Sequence, residues 1–221
     1  MALMRFVDAH THRLHPPNTN AVSIQNVIVG KMGSPVSELS YCSIGIHPWY
    51  IDAVDEQMAL LGQWAALPNV RAIGECGLDR LRGASLPKQQ TVFERQIALS
   101  ETIKKPVIIH CVRAFAEVLA TRKRLKTTQS WVLHGINNRL SVVKPLLNVG
   151  LYASFGAALL RPNSPARTIL QATPPDRILL ETDDADVSIE LIYEAAAECL
   201  SWSMERLTEQ VWGNAQRVFG L

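Results

Sequence analysis

Seven side chains able to bind metal or move protons recur at one kind of place in this sequence. His10, His12, His47, Glu75, His110, His134 and Asp183 each close, or directly follow, a short run rich in β-branched residues. Five of the six histidines belong to this set, whereas histidines that only pack would scatter over helices and loops as well. In His10-Thr11-His12 the alternation of a strand sends both imidazoles to one face, where they can converge on a single ion. His10, His12 and Asp183 are expected to hold one divalent metal, and His110 and His134 a second. Glu75, a carboxylate suited to bridging, is expected to touch both. The expected nucleophile is a water or hydroxide between ions about 3.5–4 Å apart, with Asp183 accepting its proton. Glu75 and Asp183 are thus the catalytic candidates, and the chemistry is hydrolysis rather than redox. A shell this rich in histidine suits Zn, Mn or Fe.

The runs that must position these groups are Arg5–Ala9, Val22–Val29, Tyr41–Ile46, Val70–Gly74, Val107–Ile109, Trp131–Leu133, Leu151–Phe155 and Ile178–Glu181, all reading as buried strands. Helical spacing separates most of them: Met58, Leu61, Trp64 and Ala65; Phe93 and Ile97 ahead of Pro106; Phe115, Val118, Leu119, Arg122 and Leu125; Leu140, Val143, Leu146 and Leu147 before Gly150. Two more helices, near Ile189–Leu200 and Met204–Val218, follow the candidate N-caps Ser188 and Ser203. The first connection differs, since His15-Pro16-Pro17-Asn18 cannot be helical and reads as a loop over the mouth. Eight strands alternating with helices in 221 residues imply a parallel sheet closed into a (β/α)8 TIM barrel, one domain spanning 1–221. An open doubly wound sheet is the alternative, disfavoured by the lack of a G-x-G-x-x-G after the first strand. In a barrel all seven groups lie at the C-terminal strand ends, the catalytic face.

Composition bounds the partners. With 22 Lys+Arg against 20 Asp+Glu the net charge is +2, too small to steer the whole molecule to a polyanion, so any such site is local. Arg13, Arg80, Arg82, Lys88, Arg113 and Arg139 supply a local basic cluster in the loops after the candidate strands. Four cysteines without C-x-x-C spacing, and no apolar stretch of membrane-spanning length, fit a reduced, cytoplasmic protein with neither membrane nor obligate protein partner. Cys76 and Cys111 follow proposed ligands directly, so they face the other way and are expected to be small buried hydrophobes. Asp8 and Asp79 could orient ligands or anchor their own loops. Trp49 and Tyr50 could stack on a base or pack beneath the next helix; packing is expected for Trp49, and Tyr50 stays open.

The motifs Asp8–His12 (DAHTH), Gly45–Pro48 (GIHP), Gly74–Asp79 (GECGLD), Pro106–His110 (PVIIH), Val132–Gly135 (VLHG) and Leu180–Asp183 (LETD) together resemble the TatD-type hydrolases, from first strand to last. The resemblance implies an amidohydrolase-like barrel and a metal-dependent deoxyribonuclease acting on phosphodiesters, with Mg able to support turnover. It also implies a substrate-binding role for His47. The chain departs from that pattern after His110, where Cys111-Val112-Arg113 sets the arginine, a candidate substrate contact, one residue later. Asp184 and Asp186 add acidic charge beyond Asp183. The leading reading is a divalent-metal phosphodiesterase trimming single-stranded DNA or DNA ends, because a barrel mouth admits a terminus more easily than a duplex. The alternatives are a metal-dependent hydrolase of a small ester or amide, which the two acids favour, and a non-catalytic metal-binding protein, which an intact ligand set opposes.

Overall fold

The structure, a computed structural model, describes residues 5–13, 20–31 and 36–221; the proline-rich loop expected at 15–18 lies outside them. Its strands are β1 (Phe6–Thr11), β2 (Ala21–Ile28), β3 (Cys42–Gly45), β4 (Val70–Asp79), β5 (Val107–Val112), β6 (Trp131–Leu133), β7 (Tyr152–Phe155) and β8 (Ile178–Leu180). They follow one another in chain order through an eight-stranded sheet, and the parallel bridge between Thr11 and Asp183 brings the end of β8 back to β1. This is the (β/α)8 barrel that the alternation predicts. The helices are α1 (Val54–Ala65), α2 (Leu86–Ile103), α3 (Phe115–Leu125), α4 (Leu140–Asn148), α5 (Pro165–Ala172), α6 (Ile189–Leu200) and α7 (Met204–Phe219). Among the described residues no helix is long and apolar enough to cross a membrane.

Close packing divides the chain into two compact units, Met1–Ile24 with His134–Leu221, and Gln25–Leu133. In the first, the Tyr193 hydroxyl accepts from Val7 N at 3.0 Å and donates to Val7 O at 3.1 Å, so α6 holds β1 by its backbone as well as by the edge-on Phe6–Tyr193 contact. Ser188 and Ser203 cap α6 and α7 as expected, accepting from Leu191 N and Arg206 N.

In the second unit, α2 grips the ends of two strands with buried amides. Gln96 accepts from Ile46 N at 2.7 Å and donates to Ile46 O at 3.1 Å. Gln89 accepts from Asp79 N at 2.7 Å and donates to Asp79 O at 2.9 Å. A buried amide paired on both edges fixes a backbone more sharply than apolar contact, because either partner left alone would carry a desolvation cost. The residues so fixed are the neighbours of His47 and the last residue of β4.

Candidate metal centre

In the Met1–Ile24 and His134–Leu221 unit, backbone pairing sets the first group of ligand candidates. His12 N donates to Asp183 O and Asp183 N donates to His10 O, both at 2.9 Å, so the residue beyond β8 lies level with the H-x-H pair. Asp183 adopts a left-handed backbone, φ +55°, a conformation uncommon for non-glycine residues that Asp accepts more readily than most. Its Oδ1 stands 3.6 Å from His10 Nε2 and 3.5 Å from His12 Nε2. Three donor atoms at that spacing can surround one divalent ion.

His134, just past β6, lies with its ring centroid 4.4 Å from that of His10 and its Nδ1 3.6 Å from Glu181 Oε1. Glu181 is fully buried. Burial by itself would raise its pKa, but His134 and His10 nearby hold it below the usual carboxylate range. The Gly135 amide donates to the same oxygen at 2.6 Å. A buried anion set behind two imidazoles is what a cation site requires. Asp8 lies deeper, its two oxygens accepting from Thr182 N at 2.9 Å and Thr182 Oγ1 at 2.6 Å, which ties β1 to the residue before Asp183.

In the Gln25–Leu133 unit, His47, Glu75 and His110 form a second group. β4 and β5 carry Glu75 and His110 within their ordered length rather than beyond it, because β4 runs to Asp79. Two glycines allow this: a Cβ on Gly74 would stand 2.6 Å from Ile108 O, and one on Gly77 would strike His110 O. The backbone of β5 thus lies against β4 on either side of Glu75. Asn26 on β2 accepts from Glu75 N at 2.8 Å and from Ser43 Oγ at 3.2 Å, and its amide reaches Glu75 Oε2 at 3.4 Å.

His110 is held at both ring nitrogens. Nδ1 lies 2.7 Å from Glu75 Oε1 and Nε2 lies 3.1 Å from Asp79 Oδ2. Asp79 is a committed acceptor: Trp49 Nε1 donates to Oδ2 at 2.6 Å, and Leu81 N and Arg82 N donate to Oδ1 at 2.7 and 3.1 Å. Burial opposes ionisation there, but the Trp49, Leu81 and His110 contacts outweigh it and hold the carboxyl below its ordinary pKa. With a cation bound against Glu75, the one N–H of a neutral His110 would lie on Nε2, where Asp79 accepts it. Nδ1 then presents a lone pair to the Glu75 carboxylate at 2.7 Å. Two acceptors that close repel unless a cation lies against both, and the carboxylate–histidine pair behind them is the usual support of a metal-bound imidazole. The donor set therefore fits a divalent metal.

His47 behaves differently. Its Nδ1 accepts from Trp49 N at 3.1 Å, so the neutral ring carries its proton on Nε2, 3.3 Å from Glu75 Oε1. A ring in that state offers a donor at Nε2. Burial pushes the Cys76 thiol far above its ordinary pKa and that of Cys111 up to about 12; Cys76 is buried as expected, whereas Cys111 is only half-buried. Trp49 departs from expectation. Instead of packing away it stays 36% exposed, with its indole N–H fixed on Asp79.

Half of the basic cluster is engaged. Arg13 donates to Asp186 Oδ1 at 2.5 Å, Arg80 pairs with Glu117, and Arg82 covers Trp49. Arg113 is exposed, with a left-handed backbone at φ +53°, and among the described residues its guanidinium has no ion pair. Sequence reasoning missed Asn26 and Glu181 as supports. The signal for Asn26 was an amide set between Ile24 and the Val27-Ile28-Val29 run; Glu181 lay in plain view in LETD.

The family model of TatD-related DNases matches residues 5–220. A 3'-5' ssDNA/RNA exonuclease TatD of Edwardsiella piscicida is 36% identical over 151 residues, 66% of this chain and 58% of that protein. The chain thus spans less than two thirds of that relative. An uncharacterized metal-dependent hydrolase, YabD of Bacillus subtilis, is 29% identical over 199 residues, 81% of this chain and 77% of that one. Among solved structures, the TatD homologue YJJV of Escherichia coli superposes with a TM-score of 0.83 at 21% identity, covering 99% of each chain. With a family model matched over nearly its whole length, the chain belongs to the TatD-related DNases.

Proposed function

We infer that this chain is a divalent-metal-dependent phosphodiesterase that shortens single-stranded DNA from an end, with one barrel domain over residues 1–221 as its scaffold. The observation that carries the reading is the opposition of Glu75 Oε1 and His110 Nδ1 at 2.7 Å with Asp79 behind the ring, an arrangement that a cation stabilises. The exonuclease named among the relatives supports the substrate class.

His10, His12 and Asp183 would hold one metal. Glu75 and His110 would hold a second, and His134, beside His10, is the remaining ligand candidate. Zn, Mn or Fe match these ligands, and Mg suffices for turnover when abundant. When bound, divalent cations supply Lewis acidity toward the phosphoryl group and make a nucleophile available from water at neutral pH.

The chain's own residues do the rest. Asp183, with its side chain 33% exposed between two imidazoles, accepts the proton of the attacking water. Asp79 keeps the His110 proton on Nε2, and Asn26 holds Glu75 by its backbone amide. His47 directs an N–H toward the Glu75 side of the site, where it can donate to a non-bridging phosphate oxygen. Arg113 offers a guanidinium to the next phosphate along the strand.

The second reading, a small ester or amide substrate, rests on the acids beyond Asp183. Its support is reduced by the Arg13–Asp186 pair, which neutralises one of them. Purified protein loaded with Mn should shorten end-labelled single-stranded DNA stepwise; turnover of only carboxylic esters or amides would replace the first reading with the second.

A further inference from the structure

Three successive strand ends of the Gln25–Leu133 unit place an alternating row of cations and aromatic rings beside the Glu75–His110 pair. Lys31 follows β2, Trp49 and Tyr50 form the turn after β3, and Arg82 follows β4. Lys31 Nζ sits 4.2 Å above the Tyr50 ring and donates to its hydroxyl at 2.7 Å. The Tyr50 and Trp49 centroids are 6.4 Å apart, and the Arg82 guanidinium lies 4.9 Å over Trp49.

The inner end of this row is fixed. The Trp49 ring meets His47 at 4.8 Å and His110 at 5.6 Å, while Asp79 anchors its indole N–H. The outer part is open to solvent: Lys31, Arg82 and Trp49 are exposed, and Leu81 beside them is 59% exposed. Among the described residues, the other ring that carries both a cation and an aromatic neighbour, Trp131 between Arg122 and Phe93, is fully buried, and Arg206 over Trp202 shares no ring contact with a second aromatic.

We propose that Lys31, Tyr50, Trp49 and Arg82 form a stacking platform for single-stranded nucleic acid, leading its terminal nucleotide to the Glu75–His110 pair. The inference rests on the phosphodiesterase reading and supplies the polymer subsite it lacks. Rings provide faces for bases and cations provide charge for the phosphates between them, a combination that accepts any sequence because every base has a stacking face. A cation resting on an exposed ring is held more weakly than a stacked base. An entering base therefore displaces Lys31 or Arg82, and the displaced cation moves to the adjoining phosphate.

The test is binding of a phosphorothioate-linked oligothymidylate of about ten nucleotides, and of an abasic strand of equal length and charge, by fluorescence anisotropy of the Mn-loaded protein. The thymidylate should bind about tenfold more tightly than the abasic strand. Tyr50→Leu should shrink that preference severalfold, and Tyr50→Phe should retain it. The Lys31→Ala/Arg82→Ala double variant should weaken both strands and flatten the salt dependence, with the slope of log K against log salt falling by about 1.4. Equal affinity of the wild-type protein for the two strands would overturn the platform. Hydrolysis of bis(4-nitrophenyl) phosphate, followed in parallel, separates the two ideas. Turnover without base preference leaves the phosphodiesterase and removes the platform, whereas base preference without turnover does the reverse.

Discussion

Asp79 Oδ2 lies 3.1 Å from His110 Nε2, and that contact decides which ring nitrogen faces Glu75. Replacing the carboxylate by an amide keeps the shape but removes the charge that fixes the proton. Asp79→Asn should lower metal affinity about 10- to 100-fold, the usual effect of losing such a support. Calorimetric titration with Mn measures it. Unchanged affinity would mean that packing alone orients His110.

Gly77 brings β4 against β5 at His110. Its φ of +144° is one that side chains rarely adopt, and an added Cβ would strike His110 O. Gly77→Ala should destabilise the protein by more than about 1 kcal/mol in urea unfolding and reduce metal content as well. A variant with wild-type stability would contradict the close approach of the two strands.

Much of this arrangement was legible in the sequence, and the limits have physical causes. Strand positions could be read because β-branched runs report burial on both faces. The histidines stood out because so few lay elsewhere. β4 was read as ending at Gly74, since Glu75-Cys76-Gly77 has little strand propensity, yet it continues to Asp79; pairing with β5 overrides local preference. The helix at Pro165–Ala172 was not singled out, although Ser164 accepts from Ala166 N as its cap and Pro165 opens its first turn. Asp79 was legible as a residue that could orient a ligand, whereas the supporting roles of Asn26 and Glu181 depend on contacts across strands, which spacing along one chain does not report.

Glu181 is the buried anion beside His134 and His10. Glu181→Gln retains an oxygen for the Gly135 amide but loses the charge, so the fold should persist while metal affinity falls about tenfold or more. Comparison of thermal unfolding with Mn titration separates the two effects. Loss of folding without any change in affinity per folded molecule would make Glu181 purely structural.

Far from the ligands, Glu101 accepts from Thr128 N at 3.0 Å, Thr128 Oγ1 at 2.7 Å and Gln129 N at 2.9 Å. Burial opposes its ionisation, but the Gln129 and Thr128 donors outweigh this and hold its pKa below the ordinary value. The folded pKa is therefore lower than the unfolded one. Its stabilisation is present above about pH 4.3 and is lost as pH falls through the depressed folded value. Glu101→Gln should lower Tm near neutral pH and flatten the decline of Tm below about pH 4.3. A parallel decline in variant and wild type would remove Glu101 from the acid response.

The most direct test of the central claim is metal-dependent hydrolysis by stripped protein. Chelator-treated protein should be inactive on end-labelled single-stranded DNA and should recover as Mn is added, reaching full activity at about two ions per chain. Glu75→Ala should bind fewer ions and stay inactive throughout. Hydrolysis that persists in stripped protein, or a Glu75→Ala protein with undiminished metal and activity, would contradict the account.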